Sequence, residues 1–292
     1  MSPVRLALLL LLAACARAPA PTPGEALPLH YWPARGETRA VILALHGFGD
    51  TGDLAYEDAA RAWSARGIAV YAPDQRGFGG TASRHDWPGV DALAQDAVAM
   101  SHHLRAHYPD VPLVVIGHSM GGGIALAAAA EGLEADALVL VGPAIAGGDA
   151  LNPLYRTAAR IAAAAVPERR WTGGGLITIR PTDNPEAIAR AVADPRHIGD
   201  PTSRELYGLV ELMDRAAAVA PVVTIPTLTL MGARDEVLTP AQVRRVEERI
   251  PGRVGYVLYP DGWHWLFRDL QAPRVWQDVG DFVLSARRPS GG

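Results

Sequence analysis

VVIGHSMGGGIALAAAA, residues 114–130, runs from β-branched residues into alanines through Gly117-His118-Ser119-Met120-Gly121. The Val/Ile run predicts a buried strand and the alanines a helix, so the chain must turn sharply between them. Glycines two residues either side of Ser119 remove Cβ atoms that would collide where strand and helix meet. A strand, Gly-x-Ser-x-Gly and a helix, in that order, hold a serine hydroxyl at the tip of a strained turn. The first N–H groups of the helix then point at the same spot and favour negative charge developing there.

Outward from this turn, apolar runs alternate with helical patterns. The runs at 40–47, 67–74, 112–119, 136–143, 226–235 and 254–262 are near-continuous Val, Ile and Leu, as parallel strands covered on both faces require. Helix signals occupy 54–67, 91–110 and 239–252. The last has Thr239 as N-cap, Pro240 at the first helical position and Gln242 three residues after the cap. The alternation predicts an α/β protein with a doubly wound, mostly parallel sheet. The rhythm breaks between 147 and 221. Three stretches there open with Asn152-Pro153, Asn184-Pro185 and Asp200-Pro201, each a cap followed by proline at the first helical position. They predict a helical cap, 147–221, inserted into a core of 29–146 and 222–286, at the sheet edge where ligands bind.

A serine nucleophile needs a base, and the base needs an orienting carboxylate. Downstream of Ser119, Asp235 ends the run 226–235 and His264 follows the last run, so both are expected at the edge where Ser119 emerges. Asp235 then accepts from one nitrogen of His264 while the other takes the Ser119 proton. Glu236, one residue further from the strand end, is the rival acid. Asp261, close to His264, is the other and is assigned to the turn. His46-Gly47 follows the first run, so the Phe48 N–H can face the cleft and form a two-donor oxyanion hole with the Met120 N–H. His46 and His118 read as structural. His103 and His107, spaced i, i+4, lack a third ligand and read as a solvated helix face rather than a metal site. Gly173–Gly175 read as a flexible loop. Tyr155, Trp171 and Tyr207 either line an apolar pocket or form the core of the insert. The chemistry needs no metal and no organic cofactor.

The 292 residues carry a net charge of −4, and every basic side chain is arginine. That balance gives no footprint for nucleic acid. Arg5, an apolar run from Leu6 and then small residues have the layout of a secretory signal. Leu12-Ala13-Ala14-Cys15 resembles a bacterial lipobox, whose cysteine becomes the acylated first residue, and Cys15 is the only cysteine in the chain. Ordinary cleavage after Ala16 or Ala20 is the alternative. Residues 1–15 are therefore expected to be a signal ending at the lipobox, 16–28 an extended tether and 287–292 a disordered tail. The expected location is the bacterial cell envelope, lipid-anchored to a membrane, or soluble in the periplasm or medium without acylation.

HGFGD (46–50), PDQRGFGGT (73–81), GHSMGGG (117–123), GARDEV (232–237) and DGWHWLF (261–267), in this order, resemble the α/β-hydrolase superfamily. GHSMGG and the early HYWPARGETRAVILALHG are similar to its monoacylglycerol lipase and lysophospholipase branch, also grouped with serine aminopeptidases. The resemblance covers 27–285. It implies the α/β-hydrolase fold with a helical cap inserted after the sixth strand. It also implies Ser119, Asp235 and His264 as triad, Phe48 and Met120 as oxyanion donors, and Asp74 and Arg76 as loop locks. The implied substrate is a lipid-like monoester such as a monoacylglycerol or lysophospholipid. Trp263 stands where close lipases carry a smaller residue, which implies a narrowed pocket. An aminopeptidase of the proline-iminopeptidase type is the alternative on this fold; it needs cap carboxylates to hold a free α-amine, and Glu186, Glu205 and Glu211 are available. A non-catalytic lipid-anchored binding protein is a third possibility, against which five catalytic elements in order argue.

Overall fold

The computed structural model of the chain describes residues 26–148, 152–172 and 179–286. Its strands are β1 (Leu29–Trp32), β2 (Ala40–Leu45), β3 (Ile68–Pro73), β4 (Leu113–His118), β5 (Ala137–Val141), β6 (Thr227–Gly232) and β7 (Arg253–Tyr259). They form one sheet in the order β1-β3-β2-β4-β5-β6-β7, parallel except for β1. Every residue of β2 to β5 is buried, because helices cover both faces; this is why those segments read as unbroken apolar runs. Helices α1 (Gly52–Ser64) and α8 (Ala272–Ser285) cover one face through Tyr56, Trp63, Val275 and Val279. The other face is covered by α2 (Val90–His107), α3 (Met120–Ala129) and α7 (Pro240–Glu247) through Leu93, Met100, Ile124 and Val243. The doubly wound parallel architecture is thus the observed one.

Strand β1 is not among the predicted strands. Four half-buried residues between prolines carry no periodicity. They form a strand because they reach the free edge of β3, where the Tyr31 ring stacks on Tyr71 at 4.5 Å. The expected tether also ends earlier than predicted. Leu27 is buried, and the Pro28 carbonyl accepts the Asp74 N–H at 2.8 Å. The signal, Cys15, residues 16–25, Gly173–Gly175 and the tail 287–292 lie outside the described residues.

The insert leaves the sheet after β5, the fifth described strand rather than the sixth, since a single antiparallel strand precedes the parallel set. It carries α4 (Pro153–Ala165), α5 (Pro185–Ala193) and α6 (Ser203–Val219). Asn152 and Asn184 cap α4 and α5 as expected, their side chains accepting from Leu154 N–H and Glu186 N–H. Asp200 does not cap α6. Thr202 does, in a reciprocal box with Glu205 that satisfies two orphan donors where a lone Asp would satisfy one. No residue of α4 is buried; Leu154 and Tyr155 are 72% and 67% exposed. Among the described residues, no helix is long and apolar enough to cross a membrane.

Candidate active site

The turn between β4 and α3 has the predicted strain. Ser119 sits at φ 51°, ψ −114°, a left-handed backbone that costs on the order of 1–3 kcal/mol for a residue with a Cβ. Its surroundings hold it there. The Ser119 N–H donates to the Val141 carbonyl at 2.9 Å, and the Ser119 carbonyl accepts from Gly122 and Ala144 N–H. The flanking glycines are obligatory: a Cβ on Gly117 would lie 2.3 Å from the Gly121 carbonyl oxygen, and one on Gly121 2.1 Å from that of Leu45.

Strand β6 and the loop after β7 bring the other two side chains to the same edge. His264 Nε2 is 3.0 Å from Ser119 Oγ, and His264 Nδ1 is 2.8 Å from Asp235 Oδ2. Asp235 Oδ1 accepts the Val237 and Leu238 N–H groups at 2.8 Å each, which orients the carboxylate. An acceptor-only carboxylate at Nδ1 puts the proton on that nitrogen and leaves Nε2 free to accept the serine proton. All three side chains are buried. Of the rival acids, Glu236 faces the cap, accepting the Arg180 N–H, and Asp261 pairs outside with Arg234. Among the described hydrogen bonds, neither the Phe48 N–H nor the Met120 N–H donates to a protein acceptor.

The predicted structural histidines brace this arrangement. His46 Nδ1 donates to the Gly47 carbonyl and its Nε2 accepts the Gln75 N–H; burial lowers its pKa and keeps it neutral. His118 does more than fill the elbow. Its Nε2–H donates to the His264 carbonyl at 3.0 Å, and its pKa is held well below the usual histidine range by burial and then by His264 and Arg268. Gly142 escaped the sequence reading. At φ +48°, its missing Cβ would stand 3.2 Å from His264 Nδ1 and 3.4 Å from Asp235 Oδ2; the Gly-Pro step closing β5 was its only local signal.

A cleft of about 230 Å³ opens over the serine, lined by Phe48, Asp50, Pro181, Leu209, Val237 and Trp265 among others. Trp265, not Trp263, shapes it. Trp263 turns away beneath the Arg180 guanidinium, 5.0 Å over its ring. Tyr155 is exposed, the Trp171 indole donates to Ser203 Oγ, and Tyr207 lines a separate groove beside Arg156 and Arg160; none of them lines the cleft. Asp74 does lock a loop, accepting from Gly52 and Gly80 N–H, and Arg76 pairs with Asp96. His30, Asp53 and Asp74 bring three potential ligand atoms within 4.8 Å. Their carboxylates already accept from Thr51, Arg196, Gly52 and Gly80, which makes the group a hydrogen-bonded tie between β1, α1 and the cap.

Asp269 carries a pH dependence. Its Oδ1 accepts the Thr182 hydroxyl and its Oδ2 the Trp263 N–H, both at 2.7 Å, so it pins the histidine loop to the cap. Burial outweighs these bonds and pushes its carboxyl from 3.8 up to about 6. Its contribution to stability is therefore most favourable below the unfolded-state value and is lost as pH rises through about 6. In Asp269→Asn, the amide oxygen takes the place of Oδ2 and accepts the Trp263 N–H while Nδ2 donates to Thr182 Oγ1, without titration. Thermal unfolding from pH 4 to 7.5 is expected to show the variant gaining on the wild type as pH rises, by on the order of 3 kcal/mol. A pH-independent difference would show that Asp269 does not titrate in this window.

A parallel sheet that carries a strained serine, an acid and a histidine in this chain order along its carboxyl edge defines the α/β-hydrolases, a class of hydrolytic enzymes. Residues 36–271 match the family model described as Serine aminopeptidase, S33, and the chain belongs to that family. It is 28% identical over 264 residues to a monoacylglycerol lipase of Mycolicibacterium smegmatis, covering 87% of this chain and 91% of the relative. It is 27% identical over 221 residues to a human monoglyceride lipase, covering 73% of this chain and 70% of the relative. Among solved structures, it is similar in fold to a soluble variant of the Saccharomyces cerevisiae monoglyceride lipase in complex with a substrate analogue. There the TM-score is 0.74 and the identity 20%, with 94% of this chain and 98% of that one covered.

Proposed function

We propose that the protein is a serine ester hydrolase for lipid-like monoesters, of the monoacylglycerol or lysophospholipid kind, working through an acyl-enzyme. The observation that carries this is the relay Ser119 Oγ–His264 Nε2 at 3.0 Å and His264 Nδ1–Asp235 Oδ2 at 2.8 Å. Ser119 Oγ attacks the ester carbonyl carbon as its proton passes to His264 Nε2. Negative charge moves to the carbonyl oxygen, where the Phe48 and Met120 N–H groups receive it. His264, now imidazolium and balanced by Asp235, gives its proton to the leaving alkoxide. Water then releases the acid by the same route, and Ser119 is restored.

The apolar lining of the cleft (Phe48, Pro181, Leu209, Val237 and Trp265) suits an acyl chain. Lipase relatives matched over most of their length support the same substrate class. The family's aminopeptidase label calls for a free carboxylate at the cleft to hold an α-amine, and none of the glutamate candidates lines it. Glu186 and Glu211 face solvent, and Glu205 caps α6. Asp50, which does line the cleft, is paired with Arg268. An intact buried relay also argues against a purely binding role. Acylation at Cys15 would hold such an enzyme beside amphiphilic substrates.

The test is turnover of a monoacylglycerol and of p-nitrophenyl butyrate against a prolyl anilide. Ester cleavage with no anilide cleavage is expected; preference for the anilide overturns the proposal in favour of the peptidase.

A further inference from the structure

The hydrolytic scheme makes no use of one buried ion pair at the cleft. Arg268 Nη2 lies 2.5 Å and Nη1 3.4 Å from the two carboxylate oxygens of Asp50, and the two side chains are 5% and 3% exposed. The partners are 218 residues apart in the chain. Asp50 belongs to the loop that presents the Phe48 N–H; its own N–H donates to the Gly47 carbonyl, and its Oδ1 also accepts the Thr51 N–H. Arg268 belongs to the loop that presents His264. That loop folds back on itself, with the Arg268 N–H donating to the Trp265 carbonyl at 2.7 Å and the guanidinium lying 3.8 Å over the Trp265 ring.

A buried pair of this kind contributes little net stability, because desolvating two ions offsets most of their attraction. A planar guanidinium across a carboxylate does set distance and orientation, which a hydrophobic contact does not. The joined loops carry an oxyanion donor and the base, two groups whose mutual position must hold within a fraction of an ångström of the reacting geometry.

We propose that Asp50 and Arg268 are positioning residues that clamp the Phe48 N–H and His264 in register, so that the pair governs the rate of the chemical step rather than binding or folding. The proposal rests on the ester-hydrolase reading above. Removing the clamp leaves both catalytic loops present but free to drift apart. Ground-state binding in the apolar cleft stays, and transition-state stabilisation falls.

The test uses Asp50→Asn, Arg268→Gln, Arg268→Lys and the double variant Asp50→Asn/Arg268→Gln, which leaves no unpaired buried charge if the single variants fold poorly. Steady-state kinetics with p-nitrophenyl butyrate are measured beside thermal unfolding and the rate of fluorophosphonate labelling. In the double variant, kcat and the labelling rate are expected to fall about 10- to 100-fold, with KM within about threefold and cooperative unfolding retained. Folded single variants are expected to lose about as much as the double, with Arg268→Lys partly restored. A double variant with wild-type kcat, or a loss confined to KM, overturns the clamp. A wild type that neither takes label nor cleaves the ester overturns the hydrolase reading and the clamp with it; a labelled wild type matched by an equally fast double variant overturns the clamp alone.

Discussion

Ser119→Ala is expected to lower ester turnover by ~10⁶-fold and to abolish fluorophosphonate labelling. In the proposed scheme the Oγ atom is both the attacking group and the proton donor to His264 Nε2, 3.0 Å away, and no other described hydroxyl hydrogen-bonds that nitrogen. Any residual rate above water is expected from the proposed oxyanion donors, the Phe48 and Met120 N–H groups, and from the cleft, which the substitution leaves in place. The fold should survive, because alanine meets the same backbone conformation at φ 51° as serine does, and the helix start is held by backbone bonds that the side chain does not make. Labelling or turnover that persists in a folded Ser119→Ala protein removes Ser119 from the scheme.

Asp235→Asn is expected to cost ~10⁴-fold in kcat with little change in KM. The reason lies in the bonds around the carboxylate. Oδ1 accepts two N–H groups, from Val237 and Leu238, so an asparagine must place its oxygen there and its NH₂ toward His264 Nδ1. That NH₂ can only donate, which forces Nδ1 to accept and moves the ring proton to Nε2. An Nε2–H facing Ser119 Oγ cannot take the serine proton. Nitrogen chemical shifts of His264 read the tautomer directly. A variant within tenfold of the wild type would transfer the acid role away from Asp235, with Glu236 next in line.

Both predictions use residues that are legible in the amino-acid sequence. Gly117 and Gly121 mark the elbow because the steric conflict they relieve is local to the turn, even though one of the atoms to be avoided, the Leu45 oxygen, belongs to another strand. Asp235 and His264 were legible because a parallel sheet sends every strand end of one polarity to one edge, so order along the chain implies nearness in space. The caps at Asn152, Asn184 and Thr239 were legible because capping spans only three or four residues.

The misses share a cause. Strand β1 exists through its pairing with β3, about forty residues away. Thr202 outranks Asp200 because Glu205 closes the box. Trp265 rather than Trp263 reaches the cleft because the Trp263 N–H is held by Asp269 and its ring lies under Arg180. The bond from His118 to the His264 carbonyl and the Asp50–Arg268 pair link segments 146 and 218 residues apart, and no window on the sequence sees such a pair.

The amino-acid order alone determined the parallel α/β sheet, the strained serine and the order in which Ser119, Asp235 and His264 reach one sheet edge, since buried runs, turn glycines and helix caps act over a few neighbours. Folding alone decided which tryptophan walls the cleft, which carboxylates stand away from it, and what ties the Phe48 loop to the His264 loop. Those outcomes depend on side chains from distant segments competing for the same buried space and the same few hydrogen-bond partners, a competition that begins only when the sheet has closed.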